Sequence, residues 1–247
     1  MKKSFITFTV LFISTLTFSQ NLTQKVFDGT LNKKIPVIIT LTFDNKVVFG
    51  NVVYKKKGIP INLIGRIDSD NTMFFNELLK DGHATGAYSV TLKDGIMKGS
   101  WYEVGKINGK KLSVSLEKVS ETTVPKNSIP DVTGTYSYFY GNDGGSGSLD
   151  VQQIGKNKVA IAFNCVRGTP SYNMATIDKS IIELSGNQAV YGSTEYGKCK
   201  FRITFLQNGV NVEYVPDSNE CGFGNEATVS GNYIKINSLK PKFLNNN

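Results

Sequence analysis

The sequence predicts an all-β protein: two tandem antiparallel β-meander domains, each a small barrel or sandwich, behind a cleaved signal peptide. Three observations predict it. Apolar and polar residues alternate in short runs recurring about every ten residues, the period-two pattern of half-buried strands. Between the runs stand Asp81-Gly82, Asp94-Gly95, Asn108-Gly109, Gly186-Asn187 and Asn208-Gly209, turn pairs in which Gly and Asn tolerate the positive φ angles of tight hairpins. Helical spacing is sustained nowhere, with Asn76 to Lys80 the one short exception.

The N-terminus carries Lys2 and Lys3, an apolar run from Phe5 to Phe18, and Thr17-Phe18-Ser19 before Gln20. Basic, apolar and small residues in that order form a secretory signal, so residues 1–19 are expected to be removed and the protein to be exported, secreted or periplasmic. The run is short for a membrane span, contains several Thr and Ser, and no basic stop-transfer cluster follows. An uncleaved anchor is the competing reading. No Cys stands near the cleavage point to carry a lipid, and no other stretch is long and apolar enough to span as a helix, so an integral membrane protein is not expected.

Processing leaves a net charge of +6, and residues 20–120 hold all of the excess, with 15 Lys/Arg against 9 Asp/Glu. The excess includes Lys33-Lys34, Lys55-Lys56-Lys57 and Lys110-Lys111. Such a field draws anionic surfaces or polymers. The competing reading is that lysines protect exposed strand edges from pairing with other chains. A nucleic-acid partner is not expected, because these lysines sit at turns and are not interleaved with aromatics.

The first domain, residues 20–119, is expected to contain eight strands: Lys25 to Leu31, Ile35 to Phe43, Lys46 to Tyr54, Ile59 to Ile67, Thr72 to Leu79, Ala84 to Leu92, Ile96 to Val104 and Lys111 to Val119. A meander of that length closes into a barrel or folds into two sheets. Gly50, Gly65, Gly86 and Gly99 each precede a larger residue on the same strand face by two positions. Glycine inside strands signals sharp bending or close packing, with a ligand lying against the glycines as the rival reading.

Residues 120–131 are expected to be a linker, because V-S-E-T-T-V-P-K-N-S-I-P-D, starting at Val119, carries two prolines and lacks strand alternation. The second domain, residues 132–247, opens with Gly134-x-Tyr136-x-Tyr138-x-Tyr140 and closes with Gly231-x-Tyr233. Between them the strands are expected at Leu149 to Ile154, Lys158 to Cys165, Tyr172 to Ile177, Ile181 to Leu184, Ala189 to Ser193, Cys199 to Leu206 and Val210 to Val215.

Three cysteines in an exported chain predict one bridge and one spare thiol. The hairpin from Cys199 to Val215 can bring Cys199 to Cys221, closing a loop worth about 3 kcal/mol. Cys165 shares a face with Val159, Ile161 and Phe163 and reads as a small buried hydrophobe.

Catalytic motifs are not in evidence. His83 is the sole histidine and follows the Asp81-Gly82 turn; Gly144 to Ser148 lacks the final glycine of a nucleophile elbow; and neither a zinc helix motif, a P-loop nor a dinucleotide fingerprint occurs. No metal and no cofactor are expected. Asp68-x-Asp70-Asn71 lacks the Gly and Glu of a calcium loop and reads as a polar turn. Asp68, Asp70, Glu77, Asp81 or Glu103 could pair as acid and base for glycan hydrolysis. The remaining candidates are aromatic. Trp101, Tyr88, Tyr136, Tyr138 and Tyr140 could stack on a ligand, against the alternative of half-buried strand packing.

The meander with Gly99-Ser100-Trp101 resembles the eight-stranded calycin barrels that bind small ligands, although that spacing falls near the end of the first half. Tyr136 to Tyr233 resembles exported bacterial proteins of the lysozyme-inhibitor-like type. The residues that carry this are Asn187-Gln188-Ala189-Val190-Tyr191, Cys199 to Phe205 and Cys221-Gly222-Phe223-Gly224. That resemblance implies a fold and an inhibitory role, yet the chain lacks the inhibitory Ser-Gly loop. The function expected is nonenzymatic binding of a glycan, a small apolar ligand or a protein partner; the alternatives are lysozyme inhibition and glycan hydrolysis.

Overall fold

The computed structural model describes residues 21–106, 108–126, 129 and 131–243. The expected signal peptide, three residues of the expected linker and the Asn245 to Asn247 tail lie outside the described residues.

Two closed antiparallel barrels stand in tandem. Barrel 1 comprises β1 (Asn21–Leu31), β2 (Ile35–Asp44), β3 (Val47–Tyr54), β4 (Pro60–Ile67), β5 (Thr72–Leu78), β6 (Ala84–Lys93), β7 (Ile96–Glu103) and β8 (Lys111–Pro125). Barrel 2 comprises β9 (Gly134–Phe139), β10 (Ser146–Gly155), β11 (Lys158–Val166), β12 (Met174–Ser185), β13 (Gln188–Ser193), β14 (Cys199–Leu206), β15 (Gly209–Asn219) and β16 (Gly231–Asn237). Sequential strands pair throughout; β8 closes on β1 and β16 on β9.

Alternation decides which side chains fill the barrels. In barrel 1, Phe27, Leu41, Val52, Met73, Phe75 and Met97 are buried inside. In barrel 2, Leu149, Ile161, Phe163, Phe201, Phe205 and Tyr233 are buried in the core. Each large side chain removed from water contributes about 1.5–3 kcal/mol. A Cβ on Gly50, Gly65 or Gly99 would strike a carbonyl of the neighbouring strand, at Thr40, Phe74 and Ser89 respectively. Those glycines let strands coil tightly enough to close the sheet.

Three expectations are corrected. Residues 120–125 are strand and not linker, because β1 begins at Asn21 and its outer half needs a partner: Leu22 pairs with Val124 and Gln24 with Thr122. The expected strands Tyr172 to Ile177 and Ile181 to Leu184 are one strand, β12, carrying a register shift opposite Ile161 to Phe163. Polar Asp178-Lys179 forms that bulge instead of a turn. The helical spacing from Asn76 to Lys80 gives way to β5, which ends at Leu78.

The barrels share an interface. Val47, Ile64 and Leu78 of barrel 1 belong to the same apolar cluster as Leu206 and Ile234 of barrel 2. The Phe139 N–H donates to the Gly82 carbonyl at 2.9 Å, and the Asn232 amide donates to Asn76 at 2.9 Å. Lys126 pairs at 2.7 Å with Asp44, a carboxylate only 7% exposed.

Candidate functional site

Position 77 falls in the inward register of β5, where Met73 and Phe75 precede it, so a carboxylate is carried into an apolar barrel. Glu77 is 1% exposed. Its Oε1 accepts from the Tyr54 hydroxyl at 2.5 Å, the Tyr88 hydroxyl at 2.8 Å and the Trp101 indole N–H at 3.2 Å; Oε2 accepts from the Thr85 hydroxyl at 2.9 Å. Four donors satisfy the carboxylate, as burial requires. Burial first, and then the neighbouring carboxylate, push the Tyr54 and Tyr88 phenols well above their ordinary value.

Trp101 and Tyr88 therefore stand in the interior of barrel 1 and spend their polar atoms on Glu77; Tyr88 also stacks on Phe75 with centroids 4.7 Å apart. Gly86 leaves the space the indole fills, since a Cβ there would overlap Trp101. Tyr136 and Tyr138 lie inside barrel 2, and Tyr140 packs half-buried beside Tyr138 at 5.0 Å. The structure thus separates the aromatic candidates into two interiors.

Tyr136 donates to the Val132 carbonyl at 2.8 Å, and Tyr233 donates to the Val229 carbonyl at 2.7 Å. Both bonds reach back four residues across Val-Thr-Gly or Val-Ser-Gly at the start of the two strands that close barrel 2. Cys165 lies 3.3 Å from the Tyr233 hydroxyl, and burial pushes its thiol up to about 11, away from reactivity at neutral pH. The Cys199–Cys221 disulfide is present, with Cα atoms 4.6 Å apart.

The acidic candidates do not converge. Asp68 and Asp70 occupy the β4–β5 loop at the end of barrel 1 opposite Glu77, where Asp70 caps Thr72. At the Glu77 end, Asp81 faces solvent 3.2 Å from His83, and Glu103, the last residue of β7, pairs with Lys106 at 2.6 Å at the rim. Among the described residues, no cluster of three or more His, Cys, Asp or Glu is arranged to hold a metal ion. Three clefts lie outside the interiors, where the barrels meet: one of about 550 Å³ bordered by Thr42, Asp44, Phe49 and Leu206, one of about 280 Å³ bordered by Asn76, Tyr102, Glu213 and Asn232, and one of about 190 Å³ bordered by Thr40, Asn62, Asn208 and Ile234.

The sequence showed lysine pairs but not their common location. In an up-and-down barrel the β1–β2, β3–β4, β5–β6 and β7–β8 connections all emerge at one end. Those four carry Lys33-Lys34, Lys55-Lys56-Lys57, Lys80, and Lys106 with Lys110-Lys111, against the acids Asp81 and Glu103 at the same end. The other end carries Asp44, Asp68, Asp70 and Asp94 against Lys46, Arg66 and Lys93, with Asp68 paired to Arg66 and Asp44 to Lys126. Barrel 1 therefore has one strongly basic rim and one whose charges balance. At the basic rim Lys55 pairs with Asp28 at 2.7 Å, while Lys33, Lys34, Lys56, Lys57 and Lys80 make no ion pair among the described residues. A strand count combined with the turn order was the signal that locates this rim.

Comparison with family models, curated proteins and solved structures finds no match to this chain.

Proposed function

We propose that the protein is an exported, nonenzymatic two-barrel binding protein whose partner engages the outside of the barrels. The observation that carries this reading is the filling of both interiors: inward positions hold large apolar side chains, and Glu77 is saturated by four donors. A small apolar ligand in the manner of a calycin would have to displace that packing at cavity-formation cost. Closure also bears on the lysines. A closed barrel has no free edge strand to protect, which removes the edge-guarding explanation for the basic turns and leaves recognition.

The disulfide supports an oxidising, exported setting. Apolar side chains face inward and charged ones outward, the inverse of a lipid-spanning barrel, which supports a protein that does not cross a membrane. The scattered carboxylates support the nonenzymatic reading over paired-carboxylate hydrolysis. The test presents the processed chain, residues 20–247, to glycan, lipid and protein panels, with native mass spectrometry and a muramidase assay alongside. Micromolar binding without turnover and without a retained small molecule is expected. A stoichiometric apolar ligand carried through purification, or glycan cleavage abolished by Glu77→Gln, would overturn the proposal.

A further inference from the structure

The basic rim combines charge with presented apolar side chains. Ile59 is 67% exposed immediately after Lys55-Lys56-Lys57-Gly58, and Ile35 and Leu79 stand exposed at the same end of the barrel. The loop that carries Ile59 is ordered by its own backbone: the Lys57 and Gly58 N–H groups both donate to the Tyr54 carbonyl, at 2.8 and 2.9 Å, and the Lys55 N–H donates to the Pro36 carbonyl at 3.0 Å. Ile59 is held out by that turn. Beside it, the Lys34 N–H closes on the Leu31 carbonyl at 3.1 Å, a turn whose central residues Asn32 and Lys33 have φ of 50° and 57°. Glycine fits the second of those positions best, so a lysine there carries backbone strain that the fold does not require.

We infer that the lysine rim of barrel 1 docks on an anionic lipid surface, with Ile59, flanked by Ile35 and Leu79, entering the headgroup boundary. This deepens the proposed surface-binding function and rests on it. Lysines alone would suit any polyanion. The isoleucine at the tip of a lysine triplet favours lipid, because a soluble polymer offers no apolar phase for it, whereas an interfacial contact gains from both terms. Nucleic acid would instead call for exposed rings to stack on bases, and these loop tips carry aliphatic side chains. The opposite rim, whose carboxylates are matched by Lys46, Arg66, Lys93 and Lys126, offers the surface no comparable charge, which leaves the lysine rim to face it. Phe139 against Gly82 and the close approach of Gly141 to Gly105 place barrel 2 beside the β5–β6 and β7–β8 loops, and among the described residues no backbone hydrogen bond links it to the β3–β4 loop.

The experiment sediments the processed chain with phosphatidylglycerol/phosphatidylcholine vesicles, with pure phosphatidylcholine vesicles, and with dextran sulfate as a competitor. Binding to the anionic vesicles alone is expected, weakening steeply with salt. Each rim lysine is worth roughly fivefold in affinity, so Lys56→Gln with Lys57→Gln should lose about 25-fold. Ile59→Ser should weaken vesicle binding while leaving dextran sulfate capture unchanged. Lys33→Gly should weaken it about fivefold without lowering the melting temperature, which separates binding from folding. Absence of sedimentation with anionic vesicles at low salt, or sedimentation indifferent to the lysine variants, overturns the proposal. Dextran sulfate capture without vesicle binding assigns the rim to an anionic polymer; that also overturns the lipid assignment while leaving the surface-binding function standing. A ligand found inside a barrel would overturn that function instead.

Discussion

A buried carboxylate that accepts from two tyrosines, a tryptophan and a threonine imposes directions that an aliphatic side chain would not. It fixes the rotamers of Tyr54, Tyr88 and Trp101 at the end of barrel 1 where the rim begins. Glu77→Gln keeps the volume and one acceptor oxygen but replaces the other by an NH2 group that only donates, setting donor against donor. We expect a loss of about 1–3 kcal/mol, and more for Glu77→Ala, which leaves four donors unanswered. Trp101 is the sole tryptophan, so its fluorescence reads this environment directly, and both variants should red-shift it. The tyrosines give a pH prediction. Burial raises Tyr88, Tyr138 and Tyr233 above the ordinary phenol value. The folded chain then keeps protons that the unfolded chain releases near pH 10. Their contribution is complete below about pH 10 and is lost as pH rises above it, at about 1.4 kcal/mol per pH unit for each phenol. Melting temperatures should fall sharply as the pH rises above about 10, with tyrosinate absorbance appearing at unfolding; a flat profile would contradict the burial assigned to these phenols.

Strands were legible wherever alternation ran between Gly-containing turns, as in β2, β6 and β14, because burial on one face writes itself into every second residue. Two elements escaped for physical reasons. The last third of β8 is exposed on both faces, so it carries no alternation, and only the early start of β1 supplies its partner. The bulge in β12 uses the polar residues that elsewhere make turns. Gly134-x-Tyr136 and Gly231-x-Tyr233 stood out as the opening and closing marks of barrel 2, but their function did not, because each acceptor lies outside the strand four residues upstream. These two bonds brace the chain on either side of the closing seam. Tyr136→Phe and Tyr233→Phe should each cost about 1 kcal/mol, measured by urea unfolding, since each strands a buried carbonyl. Gly86→Ala should cost more, about 1–3 kcal/mol, because its Cβ needs the place of the Trp101 ring. Trp101 fluorescence would register that displacement even if the barrel still closed.

At the scale of the whole molecule, the Glu77 network and the lysine rim were hidden for one reason. Tyr54, Glu77, Thr85 and Trp101 come from four strands, and the lysines from four loops, so both gatherings exist only after closure. Closure also links the barrels. Val47, Ile64 and Leu78 are outward residues of barrel 1 that are buried in one apolar cluster with the core of barrel 2, so neither barrel can unfold without exposing apolar surface on the other. Two features make this coupling measurable: Trp101 lies in barrel 1, and the Cys199–Cys221 disulfide lies in barrel 2. Reducing the disulfide removes about 3 kcal/mol from barrel 2. If the interface couples the barrels, the Trp101 fluorescence transition should move down with the far-UV circular dichroism transition, by about 6–12 °C for a chain of this size. Ile64→Asp, which puts a charge into the interface without touching either interior, should split the two transitions. A Trp101 transition unmoved by reduction in the unsubstituted protein would show that the barrels melt independently and that the shared cluster contributes little.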